Sequence, residues 1–258
     1  MAKIFLTGSA DGLGHLAAKE LILMGHQVVL HARNEERADE TFKKLNGAQD
    51  ILIADLSSME ETKALAEKAN AFGVFDAVIH NAGIYQVDRN SVTVDGFPLL
   101  LAVNSLAPYI LTALMHQPKR LIYLSSDMHL QGNPSKENLL NSKRNQISYS
   151  DTKLHDLTLS MAVARKWSNV YSNAVDPGWV PTKMGGTGAP GNLQNGYETQ
   201  LWLAVSDDKE AMVSGQYFHH KKQVHYLQAA KEIAVQEQLL AAFKTLTGIE
   251  FTIVRSQR

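Results

Sequence analysis

Short apolar runs alternate along this chain with longer stretches whose apolar positions recur every three or four residues. Ile4, Phe5 and Leu6 form the first run. Leu13, Leu16, Ala17, Leu21 and Met24 follow at helical spacing, and Gly25 stands where a helix C-cap falls. The same reading predicts strands at 27–31, 51–55, 75–80, 121–124, 170–175 and 216–218. Helices are predicted between them. One opens at Ser57 and Ser58, with Glu60 and Glu61 in capping-box positions. Others cover 99–116, the stretch from Tyr149 through Leu154, Leu157 and Met161, then 197–205 and a C-terminal segment carrying Ile233, Leu240 and Phe243. Strand–helix alternation of this kind predicts an α/β fold, a doubly wound parallel sheet with helices on both faces. Pro108 lies inside the 99–116 helix and has no N–H, so the Asn104 carbonyl loses its helical partner and a kink is expected there. Two stretches follow neither period. Residues 131–146 read as a polar loop with at most one short helical turn, and 178–196, rich in glycine and proline, as a substrate loop. With no repeat or linker in sight, 1–258 is expected to be one dinucleotide-binding domain.

The dinucleotide reading rests on Thr7-Gly8-Ser9-Ala10-Asp11-Gly12-Leu13-Gly14, between the first strand and the first helix. Glycines let the backbone turn tightly and approach a ligand, and the free N–H groups of a helix's first turn face an anion. Gly12 to Ala17 has the G-x-G-x-x-A form of the Rossmann fingerprint; a P-loop would need Gly-Lys-Ser/Thr where Leu13-Gly14-His15 stands. Gly8, Ser9, Gly12, Leu13 and Gly14 are therefore candidate pyrophosphate contacts. An NAD site usually carries an acidic residue at the edge of the second strand, but here Arg33 stands there, with Glu35 falling into the next helix. A guanidinium suits a 2′-phosphate, so NADP(H) is favoured over NAD(H), which stays open, as does a plain surface charge. Asp55 and Leu56 are candidates for the adenine, Asp55 also reading as a turn residue. Asn81, Ala82 and Gly83 are small enough to let a cofactor lie against the sheet edge.

Composition narrows the alternatives. The 258 residues are 45% hydrophobic and 20% charged with net charge −1, which gives no reason to expect nucleic acid or an anionic membrane as partner. There is no cysteine, so disulfides and thiol chemistry are out. His219-His220 beside Lys221-Lys222 reads as a solvated turn, and no metal site is expected. No apolar run reaches the ~20 residues of a membrane span and no signal peptide pattern is visible, so a cytoplasmic protein without a membrane anchor is expected.

Tyr149 and Lys153 complete the picture: at i and i+4 they share one helix face. With Thr7-Gly8-x-x-x-Gly12-x-Gly14, Asn81-Ala82-Gly83, Asn104, Ser126 and Pro177-Gly178, in that order, the chain resembles the short-chain dehydrogenase/reductase family over nearly its whole length. Ser125 to His129 and Ser214 to Phe218 resemble the retinol dehydrogenase and WW-domain oxidoreductase branch. His80 departs from the family, which often has asparagine there, and the segment from Ser126 to Tyr149 is longer than usual. The resemblance implies hydride transfer between NADP(H) and a small to medium, apolar alcohol or carbonyl substrate. It makes Tyr149 the general acid/base, Lys153 its electrostatic partner and ribose ligand, and Ser126, with Ser125 as the alternative, a donor to the substrate oxygen. Asn104 would hold a water through its carbonyl, and Pro177, Gly178, Val180 and Thr182 would line the nicotinamide. A homodimer or homotetramer is also consistent with it. Bringing a free tyrosine from pKa ~10 to ~7 takes roughly 4 kcal/mol, an energy of the order one positive charge at ~4 Å supplies at an effective dielectric near 20, with oxidised nicotinamide expected to help Lys153. A cofactor-holding sensor without turnover is the competing reading.

Overall fold

The computed structural model describes residues 1–88, 90–140 and 147–252. Eight strands form one sheet: β1 (Lys3–Leu6), β2 (Gln27–Ala32), β3 (Asp50–Ile53), β4 (Ala77–His80), β5 (Arg120–Leu124), β6 (Tyr171–Asp176), β7 (Tyr217–His219) and β8 (Lys222–Gln223). Their order is β3-β2-β1-β4-β5-β6-β7-β8, all parallel except the last pair. Neighbouring residues on a strand point to opposite faces. Phe5 and Val29 therefore enter one core layer, while Ile4, Leu6, Val28 and Leu30 enter the other. The first layer is closed by α3 (Met59–Asn70), α5 (Ala107–Leu114), α7 (Tyr149–Lys166) and α9 (Ile233–Thr247), through Leu65, Tyr109, Leu157 and Phe243. The second is closed by α1 (Gly12–Leu23) and α8 (Leu193–Val205), through Leu21 and Leu201. The remaining helices are α2 (Glu35–Lys44), the single turn α4 (Leu99–Leu101) and the short α6 (Lys136–Leu140). Sheet order reverses between β1 and β4, and a crevice at the carboxyl ends of such strands is where open α/β sheets bind ligands.

The elements follow the hydrophobic pattern, and the differences have local causes. β3 ends at Ile53, because the Asp55 carboxylate turns back to accept the Ser57 N–H at 2.9 Å. β4 begins at Ala77; Phe75 is buried ahead of it. The 99–116 helix ends at Leu114, and in place of a plain kink at Pro108 it holds a π-helical turn, Ala102–Leu106, in which the Ala107 N–H reaches back to the Ala102 carbonyl. Pro108 then sits in the first turn of α5, where an N–H is dispensable. α8 starts one turn early, since the Asn192 side chain caps the N–H groups of Gln194 and Asn195. The last strand is a hairpin rather than a lone run: His220 (φ 48) and Lys221 (φ 62) take left-handed conformations between β7 and β8, the pattern of a tight primed turn. Part of the 131–146 loop, residues 141–146, lies outside the described residues. Among those described, no helix is long and apolar enough to cross a membrane.

Candidate active site

All four central strands deliver their carboxyl ends to the same edge, so segments far apart in sequence meet there. The glycine turn after β1 is stitched down first. The Asn81 Nδ2 donates to the carbonyls of Thr7 (3.0 Å) and Gly8 (3.2 Å), and the Thr7 hydroxyl accepts the N–H groups of Asn81 and Ala82, both at 3.1 Å. The fit leaves no room for side chains. A Cβ on Gly14 would lie 2.3 Å from both the Asn81 Nδ2 and the Gly8 carbonyl oxygen, and one on Gly8 (φ +67) 2.8 Å from the Ala82 Cα. Asp11 caps α1 through the Gly12 N–H (2.8 Å). The N–H groups of Leu13 and Gly14, in the same first turn, have no partner among the described residues, so two donors are left for an anion. These residues fit a dinucleotide pyrophosphate.

Ser9 departs from its expected role. Its hydroxyl accepts the His31 N–H (2.8 Å) and donates to the His31 carbonyl (3.1 Å), so it is spent on β2. His31, which no sequence motif flags, accepts the Gly8 N–H on Nδ1 (3.0 Å) and therefore donates from Nε2 to the Ala54 carbonyl (3.0 Å). Burial pushes this imidazole down to about 4, so it is a neutral strut between the glycine turn and β3. Arg33 is exposed beyond the end of β2 and, among the described residues, makes no ion pair or hydrogen bond. Asp55 is half-buried beside the same rim, while the Leu56 side chain belongs to the core and leaves only its backbone for a ligand.

Gly83 opens over the next group: a Cβ there would be 3.5 Å from the Asn104 Oδ1 and 3.7 Å from the Lys153 Nζ. The Asn104 side chain is fully engaged, accepting the Ile84 N–H (2.8 Å) and donating to the Ile84 carbonyl (2.9 Å) and the Thr152 hydroxyl (3.1 Å). It ties the segment after β4 to α7. Its carbonyl faces Pro108 where an N–H would otherwise follow. Tyr149 opens α7, whose N-cap, Ser148, forms a reciprocal capping box with Asp151. Lys153 lies one turn on, with Nζ 5.5 Å from the centre of the Tyr149 ring. The Nζ donates to the Leu124 carbonyl (2.6 Å) and to Asp156 (2.9 Å). Burial works against this ammonium, yet Asp156 and Tyr149 hold its pKa above the usual value.

One expectation is corrected here. Burial raises the pKa of the Tyr149 hydroxyl above that of free tyrosine; Lys153 pulls it down, but Asp156, Asp176 and Tyr85 add to the rise. The lysine charge that was to bring the phenol near neutrality is already balanced by a buried carboxylate. Asp156 could be read as the i+3 partner of Lys153; Tyr85, whose ring meets that of Tyr149 edge-on at 4.7 Å, had no signal in the sequence.

The serines at the end of β5 differ in availability. Ser125 is buried and donates to the Lys153 carbonyl (2.7 Å), whereas Ser126 is half-buried, donates to the exposed Asp127 carboxylate (3.1 Å) and caps the 3-10 turn Asp127–Gln131 through the Met128 N–H (3.2 Å). After β6, Asp176 accepts the Gly178 N–H (2.8 Å), and Gly178 (φ +76) turns the chain into the 178–196 loop. Thr182 comes down over Gly12, its methyl 3.7 Å from where a Cβ would be, and its hydroxyl accepts the Gly185 N–H. Val180 does not line a ligand face with its side chain: it is buried against Gly191 and Gly196. Trp179 and Met184 remain exposed. Lys183 pairs with Asp11 at 2.5 Å, and Arg37 of α2 pairs with the same carboxylate oxygen at 3.1 Å. Beside Tyr149 a groove of about 640 Å³ runs between Tyr85, Asp88, Pro98, Leu99, Leu100 and Ile147. That volume is in the usual range for small-molecule sites.

The family model described as short chain dehydrogenase matches residues 2–190. An uncharacterized oxidoreductase of Emericella nidulans is 45% identical over 254 residues, covering 96% of this chain and 98% of that protein. Retinol dehydrogenase 14 of Mus musculus is 28% identical over 289 residues, covering 95% of this chain and 86% of that protein. The crystal structure of an uncharacterized protein from Mycobacterium Paratuberculosis shares the fold, with a TM-score of 0.83 at 23% identity over 98% of this chain and 95% of that one. Glycine turn, sheet order, the Tyr149–Lys153 pair and these matches lead to one conclusion: the chain belongs to the short-chain dehydrogenase family and is an oxidoreductase.

Proposed function

We propose that this oxidoreductase moves a hydride between NADP(H) and a small to medium, apolar alcohol or carbonyl compound, with Tyr149 as general acid/base. The observation that carries this reading is the Tyr149–Lys153 pair one helical turn apart, with the half-buried Tyr149 lining a groove of ligand size and Lys153 buried behind it. A bound nicotinamide dinucleotide supplies or accepts the hydride. The chain's own residues handle the rest. Leu13 and Gly14 offer N–H groups to the pyrophosphate, and Lys153, with two of its three donors committed, has one left for the ribose. Arg33 is free to meet a 2′-phosphate. Ser126, the more open of the two serines, orients the substrate oxygen, and the Asn104 carbonyl holds a water for proton exchange. Burial holds the Tyr149 hydroxyl above the ordinary tyrosine value, so this residue is the proton donor to a carbonyl oxygen in the reductive direction. Pro98, Leu99, Leu100 and Ile147 supply the apolar wall that selects the substrate class.

The test is a panel of ketones, aldehydes and alcohols read at the reduced-nicotinamide absorbance, with both dinucleotides. Tyr149→Phe keeps dinucleotide binding and loses turnover; substantial residual turnover would assign the proton to another group. Arg33→Ala weakens NADPH binding far more than NADH binding, and equal loss for both removes the phosphate assignment. Dinucleotide binding without turnover on any member of the panel would favour the sensor.

A further inference from the structure

Asp156 stands three residues after Lys153 on α7, its carboxylate 2.9 Å from the lysine Nζ. Both side chains are interior, at 4% and 5% exposure, so this ion pair is not a solvated surface contact. The Tyr149–Lys153 motif does not call for a carboxylate at this position. Its presence changes the charge of the whole group. An ammonium alone beside a buried phenol favours the phenolate, because the pair is then neutral. With Asp156 ionised, the group is already neutral while Tyr149 is protonated, and ionising the phenol would leave a net negative charge in the interior. Asp176 at the end of β6 and Tyr85 after β4 act on the phenol in the same direction, and Tyr217 of β7, which also faces it, is held neutral by burial. Asp156 in turn faces Tyr123 of β5, whose phenol stays neutral by burial.

We propose that Asp156 is a positioning residue that holds the Tyr149–Lys153 pair doubly protonated, phenol and ammonium, through neutral pH, and so sets the site to give a proton to a carbonyl oxygen. This rests on Tyr149 being the general acid. In that step the Tyr149 O–H bond breaks and its proton goes to the substrate oxygen while the carbonyl carbon gains a hydride from the reduced dinucleotide. The products are an alcohol, the oxidised dinucleotide and a phenolate, which regains its proton by net uptake of one from solvent.

Asp156→Asn keeps the shape and an acceptor for Lys153 but removes the charge. The pair then carries a net positive charge and gives up its first proton at lower pH, from whichever partner holds it less tightly. The experiment is an NMR titration of the cofactor-free protein with Cζ-labelled tyrosine and Cε-labelled lysine, the two resonances assigned with Tyr149→Phe and Lys153→Met. The expected result is a first deprotonation in Asp156→Asn at least about one pH unit below that of the unsubstituted protein, with Asp156→Glu restoring much of the difference. Identical midpoints overturn the proposal. Should Asp156→Asn not fold, the unsubstituted protein decides: a Tyr149 phenol that ionises below about pH 9, well under the ordinary tyrosine value, overturns it equally. Turnover separates this from the functional reading, for a Tyr149→Phe enzyme that still reduces a ketone defeats Tyr149 as the acid and leaves the titration result standing.

Discussion

Buried, uncharged histidines make this fold acid-labile, and the size of the effect can be worked out for three of the four. Burial pushes His31 and His155 down to about 4 and His80 to about 3. A base whose folded pKa is depressed contributes stability that is complete above its unfolded pKa, near 6.5, and is lost as pH falls toward the folded value. At about pH 5 the unfolded chain has protonated these side chains while the fold has not, a loss of roughly 2 kcal/mol each and about 6 kcal/mol together. Asp156 works in the opposite sense: burial pushes its carboxyl up to about 6, so acidification returns about 1.4 kcal/mol. A net loss of ~5 kcal/mol rivals the whole stability of many domains. Urea unfolding followed by the fluorescence of the 3 tryptophans checks it, at pH values from about 7 down to about 5. The midpoint falls steadily across that window, and His80→Asn reduces the slope by up to about 1.4 kcal/mol per pH unit by removing one proton from the balance. A midpoint that stays constant or rises between about pH 7 and 5 would refute the reasoning, since the imidazoles would then have to be charged or solvated in the fold.

Other substitutions test the crevice. Gly14→Ala forces a Cβ to within 2.3 Å of the Gly8 carbonyl and the Asn81 amide, so it loses dinucleotide binding and about 1–3 kcal/mol of stability by thermal denaturation. Gly25→Ala meets nothing within 4 Å but holds φ +81, so it costs about 1–2 kcal/mol and leaves dinucleotide binding intact. Asn104→Ala leaves the Ile84 N–H and carbonyl without their side-chain partner and destabilises by about 2–4 kcal/mol, measured by urea unfolding without any substrate. Ser126→Ala lowers kcat by about two orders of magnitude, whereas Ser125→Ala, which gives up a bond to the Lys153 carbonyl, costs about 1 kcal/mol of stability and little rate.

The strands and the glycine turn were legible because period and turn chemistry are local. β1 and β2 alternate faces as Ile4, Phe5 and Leu6, then Val28, Val29 and Leu30, and Gly14 sits where only hydrogen fits. Tyr149 and Lys153 were legible because helical spacing alone puts them on one face. Long-range pairing was not. Ser9 reads as a phosphate contact until His31 takes its hydroxyl from across the sheet, and Val180 reads as a nicotinamide contact until Gly191 and Gly196 close over it. The tyrosine pKa failed for the same reason: Lys153 was weighed without Asp156, whose importance depends on burial that a sequence does not display. Where the π-helical turn falls also depends on packing around Ala102–Leu106, not on Pro108 alone.

Asp11 clasps the crevice from both sides, gripping Arg37 of α2 and Lys183 of the loop with one carboxylate oxygen. Lys183 is 78% exposed, so the second grip is weak and screened by dissolved ions. Ionic strength therefore sets how firmly this carboxylate holds the loop: the Lys183 tether slackens as salt rises, while the pair with the less exposed Arg37 is screened less.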